Sequence, residues 1–275
     1  TRMYNTYYSP NRVANGNFSQ IGNEEITNGD FSQIGSEEVT NGDFASDSDW
    51  TLGGGWSISN GKLIGNNATG YALQGGVFES GVSKIYKITL TVSDYVSGYF
   101  TILTSGGTSQ SQQFNANGDY TIYFNTNSPS GTTLHFTYFG SFTGSIDNVS
   151  VKEVGQDWSL GATWSMGDGV ANYEGGSNSA IFQNISLPSG KSYNIKFDVS
   201  NATGNAVIWI GNSSGGVNYF GGTYAPYANG SYSLYFTMPS TQSTLAFYGA
   251  NTGSNFTIDN ISVKEVGQHW TFGTG

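Results

Sequence analysis

A thirteen-residue segment that occurs twice constrains this chain more than any other feature. Residues 146–158 read IDNVSVKEVGQDW and residues 258–270 read IDNISVKEVGQHW, so only two positions differ. The copies lie 112 residues apart, and such identity at that period indicates a duplicated module. Within each copy β-branched residues alternate with polar ones, which predicts that the segment is the closing strand of its module.

Other landmarks recur at nearly the same spacing. Trp50 and Trp56 correspond to Trp158 and Trp164, so we expect all four to be structural. Apolar residues alternate with polar ones in segments separated by Gly, Asn and Ser turns, which is typical of strands that cover a core on one face. The residues predicted to face the first core are Tyr86, Ile88, Leu90, Val92, Tyr120, Ile122, Phe124, Leu134, Phe136 and Tyr138.

A shorter repeat precedes the modules. Residues 15–22 read NGNFSQIG, residues 28–35 read NGDFSQIG, and residues 41–44 open a third copy with NGDF, at a step of 13 residues. Each repeat has too few apolar residues to bury a core of its own. It must therefore stack on its neighbours or on other chains. Two interpretations remain open: a fibre stem of three chains wound together by short β-segments, or a flexible spacer. The common register of Phe18, Phe31 and Phe44 favours the stem.

The predicted fold is therefore all-β, with two tandem jelly-roll β-sandwiches preceded by a short-repeat, β-rich stem. The predicted regions are an N-terminal arm at 1–14, the stem or linker at 15–40, modules at 41–154 and 155–266, and the start of a truncated third repeat or a tail at 267–275. A poorly ordered terminus is the alternative for the arm.

Composition excludes several classes of protein. Charged residues make up 10% of the chain, aromatic residues 15%, and the net charge is −10; this argues against both disorder and nucleic-acid binding. The chain has no Cys, so it has neither disulfides nor thiolate metal sites. No apolar run reaches membrane-spanning length, which predicts no membrane insertion.

Catalysis is not predicted. Glycoside hydrolysis usually needs two carboxylates facing each other across a cleft. No acidic residue within the module bodies has an evident counterpart in the other copy, and Asp147 and Asp259, which do match, lie in the closing strands. His135 and His269 each lack a counterpart in the other module, and neither lies in a nucleophile-elbow motif.

The NGDF opening, the Trp that soon follows and the IDNVSV closing segment resemble the cellulose- and xylan-binding (CenC-like) carbohydrate-binding modules of the galactose-binding-like superfamily. The tandem NGDFSQIG units followed by such modules also resemble fibre and appendage proteins of tailed bacteriophages, and some surface proteins of marine bacteria. The second module lacks its own NGDF opening, so we expect its first strand to be shortened or shared.

Glycans dock on exposed aromatic rings and on a few placed polar groups. Aromatic residues outside the alternating core pattern are therefore candidates, and packing at module or chain contacts is the alternative. The candidate carbohydrate-binding residues are Tyr71, Tyr99, Trp209, Tyr219, Tyr224 and Tyr227, with Tyr123 and Phe139 as further possibilities.

The resemblance also implies a structural Ca²⁺ where first and last strands meet, held by carboxylate and carbonyl oxygens. Its ligands would be Asn41, Asp43 and Asp147 in the first module, and Asp157 and Asp259 in the second. The alternative is that Asp147 and Asp259 accept hydrogen bonds from main-chain amides.

The resemblance implies a non-catalytic structural protein of a phage virion, a fibre or a head or tail appendage. It would form a homo-oligomer, expected to be a trimer, contact other virion proteins and cell-surface glycan, and lie on the virion surface. The alternatives are a secreted or cell-surface bacterial carbohydrate-binding protein, and a filament or decoration subunit without a ligand.

Overall fold

The alternating segments form strands throughout the computed structural model, which describes residues 14–17, 19–106, 112–176, 179–203, 207–214, 218–220, 225–249, 255–268 and 270. In residues 207–209 and 225–226 only the main chain is described. These residues contain no helix, so the all-β prediction is confirmed, and no segment among them could cross a membrane as an apolar helix.

The described residues form nineteen strands. They are β1 Ile21–Glu24, β2 Ile34–Glu37, β3 Thr51–Leu52, β4 Trp56–Ser59, β5 Lys62–Ala68, β6 Ala72–Gln74, β7 Ile85–Thr104, β8 Gly118–Asn125, β9 Leu134–Val154, β10 Ser159–Leu160, β11 Trp164–Gly167, β12 Val170–Tyr173, β13 Ser179–Leu187, β14 Ser192–Ser200, β15 Val207–Gly211, β16 Ala225–Pro226, β17 Gly230–Thr237, β18 Gln242–Gly249 and β19 Phe256–Val266.

The strands belong to two compact units. The first unit consists of residues 31–156 and 166–169, and the second consists of the described parts of residues 1–30, 157–165 and 170–275. Compared with the predicted 41–154 and 155–266, the first unit also takes in residues 31–40 and 166–169, and the second also takes in the described residues before 31.

Two long strands organise the first unit. The end of β7 pairs with the start of β9, beside β6 and β3, to form one layer. The start of β7 pairs with the end of β9, beside β8, β5, β4 and β2, to form the other. The register shifts between Ser93 and Tyr99, where Gly98 has a φ of 71°. A residue without a Cβ adopts this conformation without strain, so the strand can bend from one layer into the other.

The space between these layers is filled by aromatic residues. Trp50 stacks on Phe136 with ring centroids 5.4 Å apart, and Trp56 stacks on Phe142 at 5.5 Å. Both tryptophans are buried, which confirms their structural assignment. The predicted inward positions of β7, β8 and β9 are also buried, as period-two alternation requires, except that Tyr120 and Tyr138 are only half-buried.

The second unit has the same plan with shorter strands. One sheet has the order β11-β12-β19-β14-β17, with β1 also paired to β19, and the other has the order β10-β13-β18-β15-β16. β14 and β15 correspond to the two halves of β7, and β18 and β19 correspond to the two halves of β9. Trp158 and Trp164 are buried in this unit, as expected.

The short repeats supply an edge strand to each unit. Ile21 pairs with Val266 and Glu24 with Lys264, so β1 continues the sheet of the second unit. Ile34 pairs with Val154 and Glu37 with Lys152, so β2 does the same in the first unit. The second unit thus obtains its opening strand from the first repeat. A stem that winds several chains together stays a prediction.

Candidate functional site

One side of the first unit gathers aromatic and hydroxyl side chains. It is the outward side of the layer in which the end of β7 pairs with the start of β9, and we call it the outer face. Strand alternation points its side chains away from the buried Phe100, Ile102 and Phe136. Its three cross-strand rows are Leu103 with His135, Thr101 with Thr137, and Tyr99 with Phe139.

The third row is an aromatic pair. The rings of Tyr99 and Phe139 stack with centroids 4.9 Å apart and planes 13° from parallel. Phe139 is 43% exposed, whereas Tyr99 is partly buried. The pair therefore presents apolar ring surface to solvent, mainly that of Phe139.

The middle row carries hydroxyl groups without partners. The Oγ1 atoms of Thr101 and Thr137 are buried and form no hydrogen bond with any described residue, and Thr101 is only 7% exposed overall. A buried hydroxyl without a partner costs about 1–3 kcal/mol of stability. Such groups in a native fold call for an explanation, and a ligand or water that reaches them supplies one.

The first row ends in a polar cluster. His135 Nε2 lies 3.0 Å from Ser105 Oγ, and the ring of Tyr71 meets the ring of His135 edge-on at 5.8 Å. Tyr71 is 47% exposed and also lies 6.2 Å from the ring of Tyr138. Burial lowers the pKa of His135 below its ordinary value of 6.5, so the imidazole is neutral near pH 7 and can either donate or accept a hydrogen bond.

Three of the aromatic candidates from the sequence, Tyr71, Tyr99 and Phe139, thus lie around one layer. The contribution of Thr101 and Thr137 was missed. The alternation of residues 134–138 already places His135 and Thr137 on one face, but the pairing of Thr137 with Thr101 needs the register of β7 against β9.

The aromatic candidates of the second unit are placed differently. Tyr219 is buried, its hydroxyl donates to the carbonyl of Thr244, and its ring stacks on Phe236, so it offers no exposed platform. Tyr227 is half-buried and packs edge-on against Phe197 and Tyr232. Both residues therefore serve packing. Tyr224 lies outside the described residues.

Trp209 occupies an informative register position. In the first unit Ile102 pairs with Phe136 and the adjacent outward pair is Thr101 with Thr137. In the second unit Ile210 pairs with Phe247, and the adjacent pair is Trp209 with Tyr248. The same position therefore carries two threonines in one unit and two large aromatic residues in the other; the side chain of Trp209 lies outside the described part.

The predicted calcium ligands are engaged with the main chain. Asp147 Oδ1 accepts from the amide of Asn148 at 2.7 Å, and Asp259 Oδ1 accepts from the amide of Asn260 at 2.6 Å. This is the alternative that the sequence left open. Burial raises the pKa of Asp259, which disfavours its ionised form.

The remaining predicted ligands do not complete a metal site. The side chain of Asn41 bonds the main chain of Ser46 and Ser48, Asp43 accepts from the amide of Ala45, and Asp157 is exposed. Within the described residues no group of three His, Cys, Asp or Glu side chains is placed to hold a metal ion. The calcium site therefore gains no support from these contacts and stays a prediction.

A cavity of about 240 Å³ lies against the opposite layer of the first unit, and it is partly lined by Ile34, Lys87, Tyr123 and Asp168. The hydroxyl of Tyr123 donates to Asp168 Oδ1 at 2.8 Å, so the polar groups at its wall bind each other. The cavity is also smaller than most ligand pockets. Tyr123, a further aromatic candidate, is therefore used structurally.

No protein-family model and no curated protein matches the chain. Among solved structures it is similar to a carbohydrate-binding module described as "CBM4 structure and function", at 16% identity and a TM-score of 0.30, over 39% of this chain and 86% of that one. It is also similar to the N-terminal CBM22-1–CBM22-2 tandem of Paenibacillus barcinonensis Xyn10C, at 12% identity and a TM-score of 0.28, over 84% and 98%. Allantoicase from Saccharomyces cerevisiae matches at 10% identity and a TM-score of 0.34, over 89% and 93%. All three TM-scores are below 0.5, so the functional argument rests on the site itself.

Proposed function

We propose that this protein is a non-catalytic glycan-binding protein and that the outer face of the first unit is its binding site. The observation that carries the proposal is the partly exposed Tyr99–Phe139 stack beside two threonine hydroxyls that lack partners among the described residues. A sugar ring has an apolar C–H face and a rim of hydroxyls, and this face offers both kinds of contact.

The rows assign a role to each group. The Tyr99–Phe139 pair packs against the C–H face of one sugar residue. The hydroxyls of Thr101 and Thr137 exchange hydrogen bonds with sugar hydroxyls once the neighbouring side chains admit them. Neutral His135 binds a further hydroxyl at the other end. Strand residues rise about 3.3 Å each, so the outer rows stand about 13 Å apart, which suits a short oligosaccharide.

Charge favours a neutral glycan. The three rows contain no acidic or basic side chain apart from His135, which burial holds in its neutral form. The whole chain carries a net charge of −10, which repels polyanions. Binding at one such face would be weak, and several copies on one assembly would raise the avidity.

A glycan array followed by calorimetry on the full chain tests the site. Phe139→Ala and Tyr99→Ala should each weaken binding up to about tenfold, because a specific contact with an aromatic ring contributes about 0.5–1.5 kcal/mol. Tyr235→Ala is the matched control, since Tyr235 is 69% exposed on β17 of the second unit. Unchanged affinity in the two outer-face variants would overturn the site.

Thr101→Val separates a binding role from a structural one. Valine has nearly the same shape as threonine but no hydroxyl. The free energy of unfolding should therefore stay the same or rise, while the affinity for glycan falls. A Thr101→Val variant that binds as well as the parent would remove the hydroxyl row from the site. Loss of binding in Trp209→Ala alone would place the site in the second unit.

The wider setting that we propose is a virion surface, with the protein as a fibre or a head or tail appendage that forms a homotrimer and contacts other virion proteins. The repeated short units and the Gly-, Asn- and Ser-rich composition motivate this proposal. Sedimentation at the mass of three chains supports the trimer, and a monomer at all concentrations contradicts it. Failure to bind any glycan while folded would favour a structural subunit without a ligand.

Two further measurements on the protein incubated with glycan test for catalysis and for calcium binding. Release of shortened sugars during prolonged incubation would contradict the non-catalytic role. Binding that is lost in EDTA and restored by Ca²⁺ would support the predicted ion.

A further inference from the structure

The two opening segments, residues 21–30 and 34–43, are held by the same contacts. Glu24 accepts hydrogen bonds from Ser262 Oγ and from the amide of Val263, both at 2.6 Å. In the first unit, Glu37 accepts from Ser150 Oγ at 2.6 Å and from the amide of Val151 at 2.7 Å. Each glutamate thus fastens its segment to the closing strand.

The match extends along the whole segment. The carbonyl of Gly29 accepts from the amide of Ile261 at 2.8 Å, and the carbonyl of Gly42 accepts from the amide of Val149 at 2.9 Å. The side-chain amide of Gln183 exchanges two hydrogen bonds with the main chain of Thr27. Gln74 and Thr40 repeat this exchange in the first unit.

A buried apolar residue accompanies each segment. Ile26 is 5% exposed in the second unit and Val39 is 6% exposed in the first. The segments differ by conservative changes only, and residues 146–154 of β9 differ from residues 258–266 of β19 at a single position. Either closing strand can therefore form the same hydrogen bonds with any copy of the segment, including a copy that belongs to another molecule.

The second unit is the better candidate for pairing with the opening segment of another molecule, because its own segment lies far away in the sequence. Glu24 and Val263 are 239 positions apart, whereas Glu37 and Val151 are 114 apart. The entropy cost of closing a loop rises slowly with its length, so the cis pairing of β1 has a slightly smaller advantage over pairing with another molecule than the cis pairing of β2 has. Among the described strands β1 pairs with β19 alone, and Ile21 on it is 61% exposed.

We propose that residues 21–30 of one copy complete the second unit of another copy by pairing with its β19. The partner is a second copy of this chain, bound by strand addition with the same main-chain and glutamate contacts that the single chain makes. Reciprocal exchange gives closed dimers, and sequential exchange gives longer assemblies.

Mixed single-cysteine variants test the exchange, since the chain has no Cys of its own. Ile21 and Val266 are register partners, and the distance between paired Cα atoms in an antiparallel ladder suits a disulfide. Chains that carry Ile21→Cys are refolded together with chains that carry Val266→Cys and then oxidised. We expect a covalent dimer whose yield rises with protein concentration. Ile21→Cys mixed with Tyr235→Cys is the control for random collision.

A dimer yield no higher than in the control would overturn the proposal, provided that the double variant Ile21→Cys/Val266→Cys closes a disulfide within one chain. Sedimentation supplies the second readout. A synthetic peptide of residues 21–30 in excess should shift assemblies of the unmodified chain to monomers, and the same peptide with Glu24→Ala should do so at least tenfold less effectively. A chain that sediments as a monomer at every concentration would equally overturn the exchange.

Discussion

Trp158 donates its indole N–H to the main-chain carbonyl of Asn28 at 3.0 Å, across 130 positions of sequence. Trp50 donates to the carbonyl of Asn41 at 3.2 Å in the same way. The tryptophan near the start of each unit therefore recognises the Asn-Gly turn that ends its opening segment. The turn belonging to Trp50 is nearby in the chain, whereas the turn belonging to Trp158 lies before the whole first unit.

This arrangement predicts that the two glutamates stabilise different units. Glu24→Ala should lower the free energy of unfolding of the second unit by about 1 kcal/mol or more, because it removes two charge-assisted hydrogen bonds. Glu37→Ala should do the same to the first unit. Denaturant unfolding followed by hydrogen exchange assigns each loss to a unit. Asp47→Asn, at an exposed position, is the control, and a loss in the wrong unit would contradict the pairing.

Close main-chain approach predicts that two glycines cannot gain a side chain. A Cβ on Gly29 would clash with the carbonyl oxygen of Ile261, and a Cβ on Gly42 with that of Val149. Since main-chain atoms cannot swing aside, each Gly→Ala change should cost about 1–3 kcal/mol in its own unit. Gly75→Ala, whose Cβ would meet its nearest neighbour only at 4.0 Å, should change thermal stability little. Equal melting temperatures for all three variants would refute the close approach.

Core packing predicts a larger loss at Phe136. Its ring is fully buried and contacts the rings of both Trp50 and Phe100 at 5.4 Å. Phe136→Ala should lower the free energy of unfolding of the first unit by about 3–5 kcal/mol. Phe136→Leu, which leaves a smaller void, should lose less and keep the unit folded for measurement. A cost below about 1 kcal/mol for Phe136→Ala would contradict the packing.

His135 predicts a pH dependence of the first unit. Burial holds its folded-state pKa below 6.5, so below that pH the unfolded chain binds more protons than the folded one. Stability from this group is therefore complete above about pH 7 and declines as the pH falls through 6.5. Urea midpoints at pH 7.5 and 5.8 should differ in the parent and converge in His135→Gln. His269→Gln, at the other histidine of the chain, should leave the parental difference intact.

The sequence was sufficient for the fold class because duplication and alternation are local properties. The two copies of the closing segment revealed the modules, and period-two patterns identified the faces of β7, β8 and β9. Burial of Trp50, Trp56, Trp158 and Trp164 followed from their recurrence. These features depend on residues close together in the chain, so no knowledge of the tertiary structure was needed.

The candidate site was only partly accessible to the same reasoning. Tyr71, Tyr99 and Phe139 stood out as aromatic residues beyond the core pattern, but so did Tyr219, which the structure buries. An aromatic residue in a loop has no periodicity that reveals whether it faces the core or solvent. Only the pairing of β7 with β9 set Thr101 beside Thr137.

By itself, the sequence determined that this protein is a duplicated all-β chain with tryptophan-anchored sandwiches. The tertiary structure alone decided which opening segment completes which unit. The repeats at residues 21–30 and 34–43 are nearly identical, so their sequences cannot specify a partner. Both closing strands offer the same hydrogen bonds, so the choice depends on which segment the folded chain places beside β19 and which beside β9, across 239 and 114 positions of sequence.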